Sequence, residues 1–166
     1  MAELTPQERL QPALLDRLTD EDPSKHLEPR EARVMSRQKL RQAVLRDLAW
    51  LFNATRPSDI DWASYPEAER SVVNYGLPAL SGETASSLDV MELERIIRQV
   101  IVDFEPRITP STLQVETLVS EDQLEHHNVI SVQIRGQLWS QPVPIELLLR
   151  TEVDLETGQV EIREIG

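Results

Sequence analysis

The chain is 166 residues long, with 40 % hydrophobic residues and a formal net charge of −12, which suits one domain plus a tail and argues against nucleic acid as the main partner. It contains no cysteine, which excludes disulfide staples and thiolate chemistry. No run approaches the roughly 20 apolar residues that span a bilayer, and the start, MAELTPQERLQPALL, lacks the basic region and long apolar run of a signal peptide, so a cytoplasmic location without membrane insertion is expected.

Residues 1–30 are expected to form a weakly ordered segment. They are polar, and Pro6, Pro12, Pro23 and Pro29 interrupt any long helix. Within them Leu10, Leu14, Leu15 and Leu18 make a short apolar stripe at helical spacing. Such a stripe docks either on a partner or on its own domain, so Leu14, Leu15 and Leu18 are candidate protein-binding residues. Residues 31–166 are expected to form one α+β domain.

The spacing predicts a first strong helix over 31–54. Leu40, Val44, Leu48, Leu51 and Phe52 recur at three- and four-residue steps, and basic residues cover the opposite face. Residues 25–46 carry seven basic and two acidic residues, whereas 47–166 carry eight basic and twenty-one acidic. The basic stretch is therefore a solvated face, a dock onto the chain's own acidic body, or a contact for an acidic partner. Residues 57–82 read as irregular, with Ser71 to Tyr75 as a short helical turn or strand.

A second helix is predicted from about Ser86 to Phe104, capped by Ser86 or Ser87, with Asp89 in its first turn. Leu93, Ile96, Ile97, Val100, Ile101 and Phe104 supply its apolar face. Glu105 precedes Pro106, so the helix should end there. The string Glu105-Pro106-Arg107 is then a stiff corner with an acid and a base two residues apart. It either presents both charges to a partner or forms a local ion pair that staples the turn. On an exposed corner such a pair is worth roughly 0–1 kcal/mol, so Glu105 and Arg107 are expected to act in assembly rather than in stability. A second copy, Glu28-Pro29-Arg30, follows no apolar helix and reads as coincidence.

After the corner the period changes to two. Leu113, Val115, Thr117 and Val119 mark one strand, and Ile130, Val132 and Ile134 a second. Residues 143–155 and 159–165 carry a third and a fourth, joined by the turn Glu156-Thr157-Gly158-Gln159. Helices first and antiparallel strands later predict an α+β fold, with the helices on one face of a mainly antiparallel sheet of about four strands. The fourth strand is expected to be an uncovered edge, which makes Ile162, Arg163 and Glu164 candidates for a partner strand.

No catalytic, cofactor or metal set emerges. His126-His127 falls in a predicted hairpin loop, where adjacent side chains diverge. Asp103, Glu105 and Glu116 could be searched for a glycosidase pair, but an arginine partner favours the carboxylate form of Glu105, the wrong state for a general acid.

Three strings in chain order carry a resemblance: Leu45-Arg46-Asp47-Leu48-Ala49-Trp50-Leu51-Phe52-Asn53, then Ser71-Val72-Val73-Asn74-Tyr75-Gly76-Leu77-Pro78, then Phe104-Glu105-Pro106-Arg107. Together with Leu14-Leu15-Asp16-Arg17-Leu18, Asp20-Glu21-Asp22-Pro23 and the closing Asp154-Leu155-Glu156-Thr157-Gly158, this resembles the TssE family. These are the lysozyme-like wedge subunits of type VI secretion baseplates, similar to the small wedge protein of contractile phages. The resemblance implies a scaffold without enzymatic activity or cofactor, joining the baseplate to the contractile sheath and helping to initiate sheath assembly. It implies wedge partners (TssF, TssG, TssK) and sheath partners (TssB, TssC), contact with a helical bundle through Glu105, Pro106 and Arg107, and strand sharing with the sheath. The alternatives are a regulatory protein-binding module on the same fold and a peptidoglycan hydrolase.

Overall fold

The computed structural model describes residues 13–19, 24, 35–80, 89–118, 129–140 and 143–165. Its helices are α1 (Leu14–Leu18), α2 (Arg37–Asn53), α3 (Pro66–Glu69) and α4 (Val90–Phe104). They precede a four-stranded antiparallel sheet, β1 (Gln114–Leu118), β2 (Val129–Leu138), β3 (Ile145–Asp154) and β4 (Val160–Glu164), in the order β1-β2-β3-β4. This is the α+β arrangement that the change of period predicts.

Both long helices begin later than their periodicity suggests, because capping chemistry sets the boundary. Ser36 is the N-cap of α2, its hydroxyl accepting from the Lys39 N–H at 3.1 Å. Met35 before the cap and Leu40 in the first turn are both buried, the spacing of a hydrophobic staple. For α4 the cap is Asp89, whose carboxylate accepts from the N–H groups of Met91 and Glu92. Ser86 and Ser87, like the start of the first predicted helix at residues 31–34, lie outside the described residues.

The sheet face toward the helices follows the alternation. Ile130, Val132 and Ile134 on β2 stand opposite Val153, Thr151 and Leu149 on β3. All are buried, in one core with Val44, Leu48 and Leu51 from α2 and Leu93, Ile97 and Ile101 from α4. β2 runs on to Leu138, past the predicted alternation, because β3 pairs with it along its whole length. Between β3 and β4 the Asp154 carboxylate accepts from the N–H groups of Glu156 and Thr157, and Gly158 takes a φ of 72°. The turn that the Gly158 position predicts is therefore held by Asp154 as well.

The segment Ser71 to Tyr75 holds a single turn of 3-10 helix, Val72–Asn74. Beyond it Gly76 lets the chain return against the end of α2. The Leu77 N–H donates to Ala54 C=O and the Arg56 N–H to Leu77 C=O. Gly76 has a φ of 115°, and a Cβ there would lie 2.2 Å from the Ala54 oxygen. Only glycine meets both demands. Gly76→Ala should lower stability by about 2–3 kcal/mol, read as a fall in the urea midpoint with an unchanged slope.

Candidate functional site

Pro106 ends α4, and Glu105 is its C-cap, its N–H donating to Ile101 C=O at 2.8 Å. The carboxylate of Glu105 then turns back on the corner. Its Oε1 accepts from the Arg107 backbone N–H at 3.1 Å and from Arg107 Nε at 2.6 Å, and its Oε2 accepts from Arg107 Nη2. The same Nη2 donates to Asp47 Oδ2 on α2 at 2.6 Å. Beyond the corner, Arg107 C=O accepts from Trp139 N–H, and Thr109 N–H donates to Gln137 C=O, so the chain joins the end of β2.

The charges continue from Asp47. Its Oδ1 accepts from Arg46 Nε at 2.8 Å, and Arg46 Nη1 donates to Asp16 Oδ1 on α1 at 2.6 Å. The Arg46 guanidinium also lies 5.2 Å from the centre of the exposed Trp50 ring. A chain of alternating charges, Glu105–Arg107–Asp47–Arg46–Asp16, thus links the helix corner, α2 and the N-terminal helix. Burial disfavours the Arg107 charge, but hydrogen bonding and attraction from Glu105, then from Asp47, outweigh it and hold its pKa far above the ordinary value. The bond to Asp16 leads the causes that raise Arg46. Burial, followed by the charges of Asp47 and Glu105, raises the nearby Tyr75 hydroxyl, whose ring packs edge-on against Phe104 at 5.3 Å.

The expectation of an exposed corner is corrected by this geometry. Glu105 is only 3 % exposed, while the Arg107 and Asp47 side chains retain 24 % each. The pair staples the turn and also braces α4 against α2. Pro106 stays exposed, so the surface at the corner consists of the proline ring and the outer face of a guanidinium held from beneath. Asp47 lies 60 residues from Arg107, and its part in the corner is invisible in the sequence. Its one local signal is an acid set beside the apolar stripe of α2.

The other candidate residues lie apart from the corner. Leu14 and Leu18 are 70 % and 74 % exposed, with Leu15 also exposed, while Asp16 between them makes the contact with α2. On β4, Ile162 packs against the core, Arg163 pairs with Glu161 at 2.7 Å, and Glu164 pairs with Arg41 of α2 at 3.0 Å. Arg41 also donates to Glu146 C=O at 2.8 Å. Arg41 and Arg46 of the basic stretch are thus engaged by the chain's own acidic groups. The copy Glu28-Pro29-Arg30 and His126-His127 lie outside the described residues. Among the described residues no three His, Asp or Glu side chains form a group that could hold a metal ion, and no helix is long and apolar enough to cross a membrane.

These features define an α+β module, with helices over one face of a sheet braced by partly buried ion pairs. A family model described as baseplate wedge protein gp25 matches residues 38–143. The chain belongs to this family of TssE-like phage baseplate wedge proteins, which are structural components. No curated protein and no solved structure matches it.

The burial of Glu105 separates stability from surface charge. Arg107→Glu leaves Glu105 and Asp47 facing a third carboxylate, and breaking such a pair costs about 3 kcal/mol or more. Its melting temperature should fall well below that of Arg163→Glu, which alters an arginine that is 68 % exposed. Equal melting temperatures would show that the corner contributes nothing to the fold.

Proposed function

We propose that the chain is the wedge subunit of a type VI secretion baseplate, linking the baseplate to the contractile sheath and helping to initiate sheath assembly. The observation that carries this reading is the outer edge of β4 in a chain of the baseplate wedge family. Asp154 N–H donates to Gln159 C=O and Ile165 N–H to Leu148 C=O. Antiparallel pairing alternates, so Gln159, Glu161, Arg163 and Ile165 bond toward β3, while Val160, Ile162 and Glu164 turn their backbone groups outward; those of Val160 meet the Asn53 amide, and those of Ile162 and Glu164 have no partner among the described residues. An outward row of this kind accepts a strand from a partner. In this reading β4 meets the sheath proteins TssB and TssC. Pro106 and Arg107, positioned by Glu105, meet the wedge subunits TssF and TssG, with TssK in the same assembly. The exposed Leu14, Leu15 and Leu18 offer a further contact, on a segment separable from the domain.

Ile162→Pro tests the sheath contact cleanly. The Ile162 N–H points away from β3, so proline removes an outward donor and no bond of the existing ladder. The variant should remain folded, weakened by about 1–3 kcal/mol through loss of the half-buried isoleucine, and should fail to recruit sheath proteins in co-purification. Normal recruitment by a folded variant would move the contact to another surface.

A wedge subunit of this kind acts without enzymatic activity. Glu105 is buried and both its oxygens bond to Arg107, so this carboxyl is not presented to a leaving group at the surface. The purified chain should not clear peptidoglycan between acidic and neutral pH. Clearance that disappears on Glu105→Gln would overturn the scaffold reading.

A further inference from the structure

Helix side chains bond to the outward backbone groups at both edges of the sheet. At β1 the Thr117 N–H donates to Glu94 of α4 at 2.6 Å. At β4 the amide of Asn53, the last residue of α2, engages both backbone groups of Val160. The Val160 N–H donates to Asn53 Oδ1 at 3.0 Å, and Asn53 Nδ2 donates to Val160 C=O at 2.9 Å. A neighbouring strand would make the same two bonds, so Asn53 closes the edge at Val160. Ile162 and Glu164 keep outward backbone groups without a partner among the described residues.

This arrangement decides how β4 could meet β4 of a second copy. Hydrogen-bonded pairs across two antiparallel edges form only between outward-facing residues. With Ile162 opposite Ile162 of the second copy, Val160 would stand opposite Glu164, and Glu161 directly opposite Arg163. That register offers a full ladder and two cross-strand pairs of opposite charge. Asn53 occupies Val160 in both copies, however, and leaves only the central pair. The register clear of Asn53 sets Ile162 opposite Glu164. It also sets Arg163 directly opposite Arg163 of the second copy, and like charges in that position repel. The attractive register is plugged and the open register is repulsive.

We propose that the Ile162–Glu164 stretch of β4 is a docking strip for an extended segment of a different protein carrying an acidic side chain opposite Arg163, and that Asn53 and Arg163 exclude a second copy of this chain. The strip rests on the reading above that β4 receives a partner strand. Arg163 can meet an acid across the strand pair, since its side chain is 68 % exposed and its bond to Glu161, at 2.7 Å, engages Nη2 alone. Specificity then arises from a repulsive element against the wrong partner as well as an attractive one for the right partner.

The test is self-association measured by sedimentation, with folding followed by circular dichroism. The unaltered chain should sediment as a monomer. Asn53→Ala frees Val160 and should double the mass. Adding Arg163→Glu to it sets the new carboxylate directly opposite Glu161 of the second copy and should restore the monomer. A second arm keeps Asn53 in place: Arg163→Glu is mixed in equal amounts with the unaltered chain, so the variant supplies an acid opposite Arg163. The Ile162 and Glu164 amide signals should shift on mixing and not on concentrating either protein alone. A folded Asn53→Ala variant that stays monomeric, a double variant that dimerises equally well, or a mixture without those shifts would each overturn the proposal. If Asn53→Ala does not fold, the mixture decides. Sheath recruitment by Ile162→Pro is a separate readout, so failure of the sheath reading is distinguishable from failure of the exclusion.

Discussion

The guanidinium of Arg107 sits between two carboxylates that belong to different helices, and much of the structure depends on that placement. Glu105 comes from the end of α4 and Asp47 from the middle of α2. The backbone of Arg107 is tied to the end of β2 through Trp139. One residue therefore braces the point at which α4 ends and the chain turns toward the sheet. Burying Glu105 is costly unless its oxygens are satisfied, and the fork of Arg107 together with its own N–H satisfies both. The arrangement also explains why a charged corner can be rigid: the acid is held inside, and only the proline and one face of the arginine remain for contact.

α2 carries this constraint across the molecule. Its apolar stripe packs on the core, Asp47 meets the corner, and Arg41 and Asn53 meet β4. The corner and the free sheet edge are thus held by one helix. A displacement at one would be transmitted through a packed element to the other, since close-packed interiors transmit strain. In a structural component of a baseplate wedge, such stiffness is a useful property in itself.

The polar side chains at the sheet edges serve a related need. An open edge offers unpaired N–H and C=O groups to any chain. Asn53 and Glu94 each withdraw part of that offer at one edge, using helix side chains rather than additional strands. The charges of Glu161 and Arg163 on the outer face limit the rest. In contrast, the basic stretch of the sequence is partly consumed inside the molecule, where Arg41 and Arg46 pair with Glu164, Asp47 and Asp16.

Periodicity alone made α4, the strands and the final hairpin legible, because each depends on neighbours two to four residues away. Leu93, Ile97, Val100 and Ile101 on the apolar face of α4 are buried, with Ile96 and Phe104 partly so, and Gly158 takes the positive φ that its turn requires. Pro106 likewise determined where α4 stops, since the backbone restriction is local. Helix starts were less legible, because several Ser and Asp residues compete as caps and the choice depends on which lets the first turn reach the core; Ser36 and Asp89 prevail. The burial of Glu105 was beyond the sequence. Its cause is Asp47, brought against Arg107 across 60 residues by helix packing. The role of Asn53 was equally hidden, as its partner Val160 is 107 residues away. An amide at a helix end is ordinary in sequence, and only tertiary structure places it against the edge of a sheet, where its donor and acceptor match those of a strand.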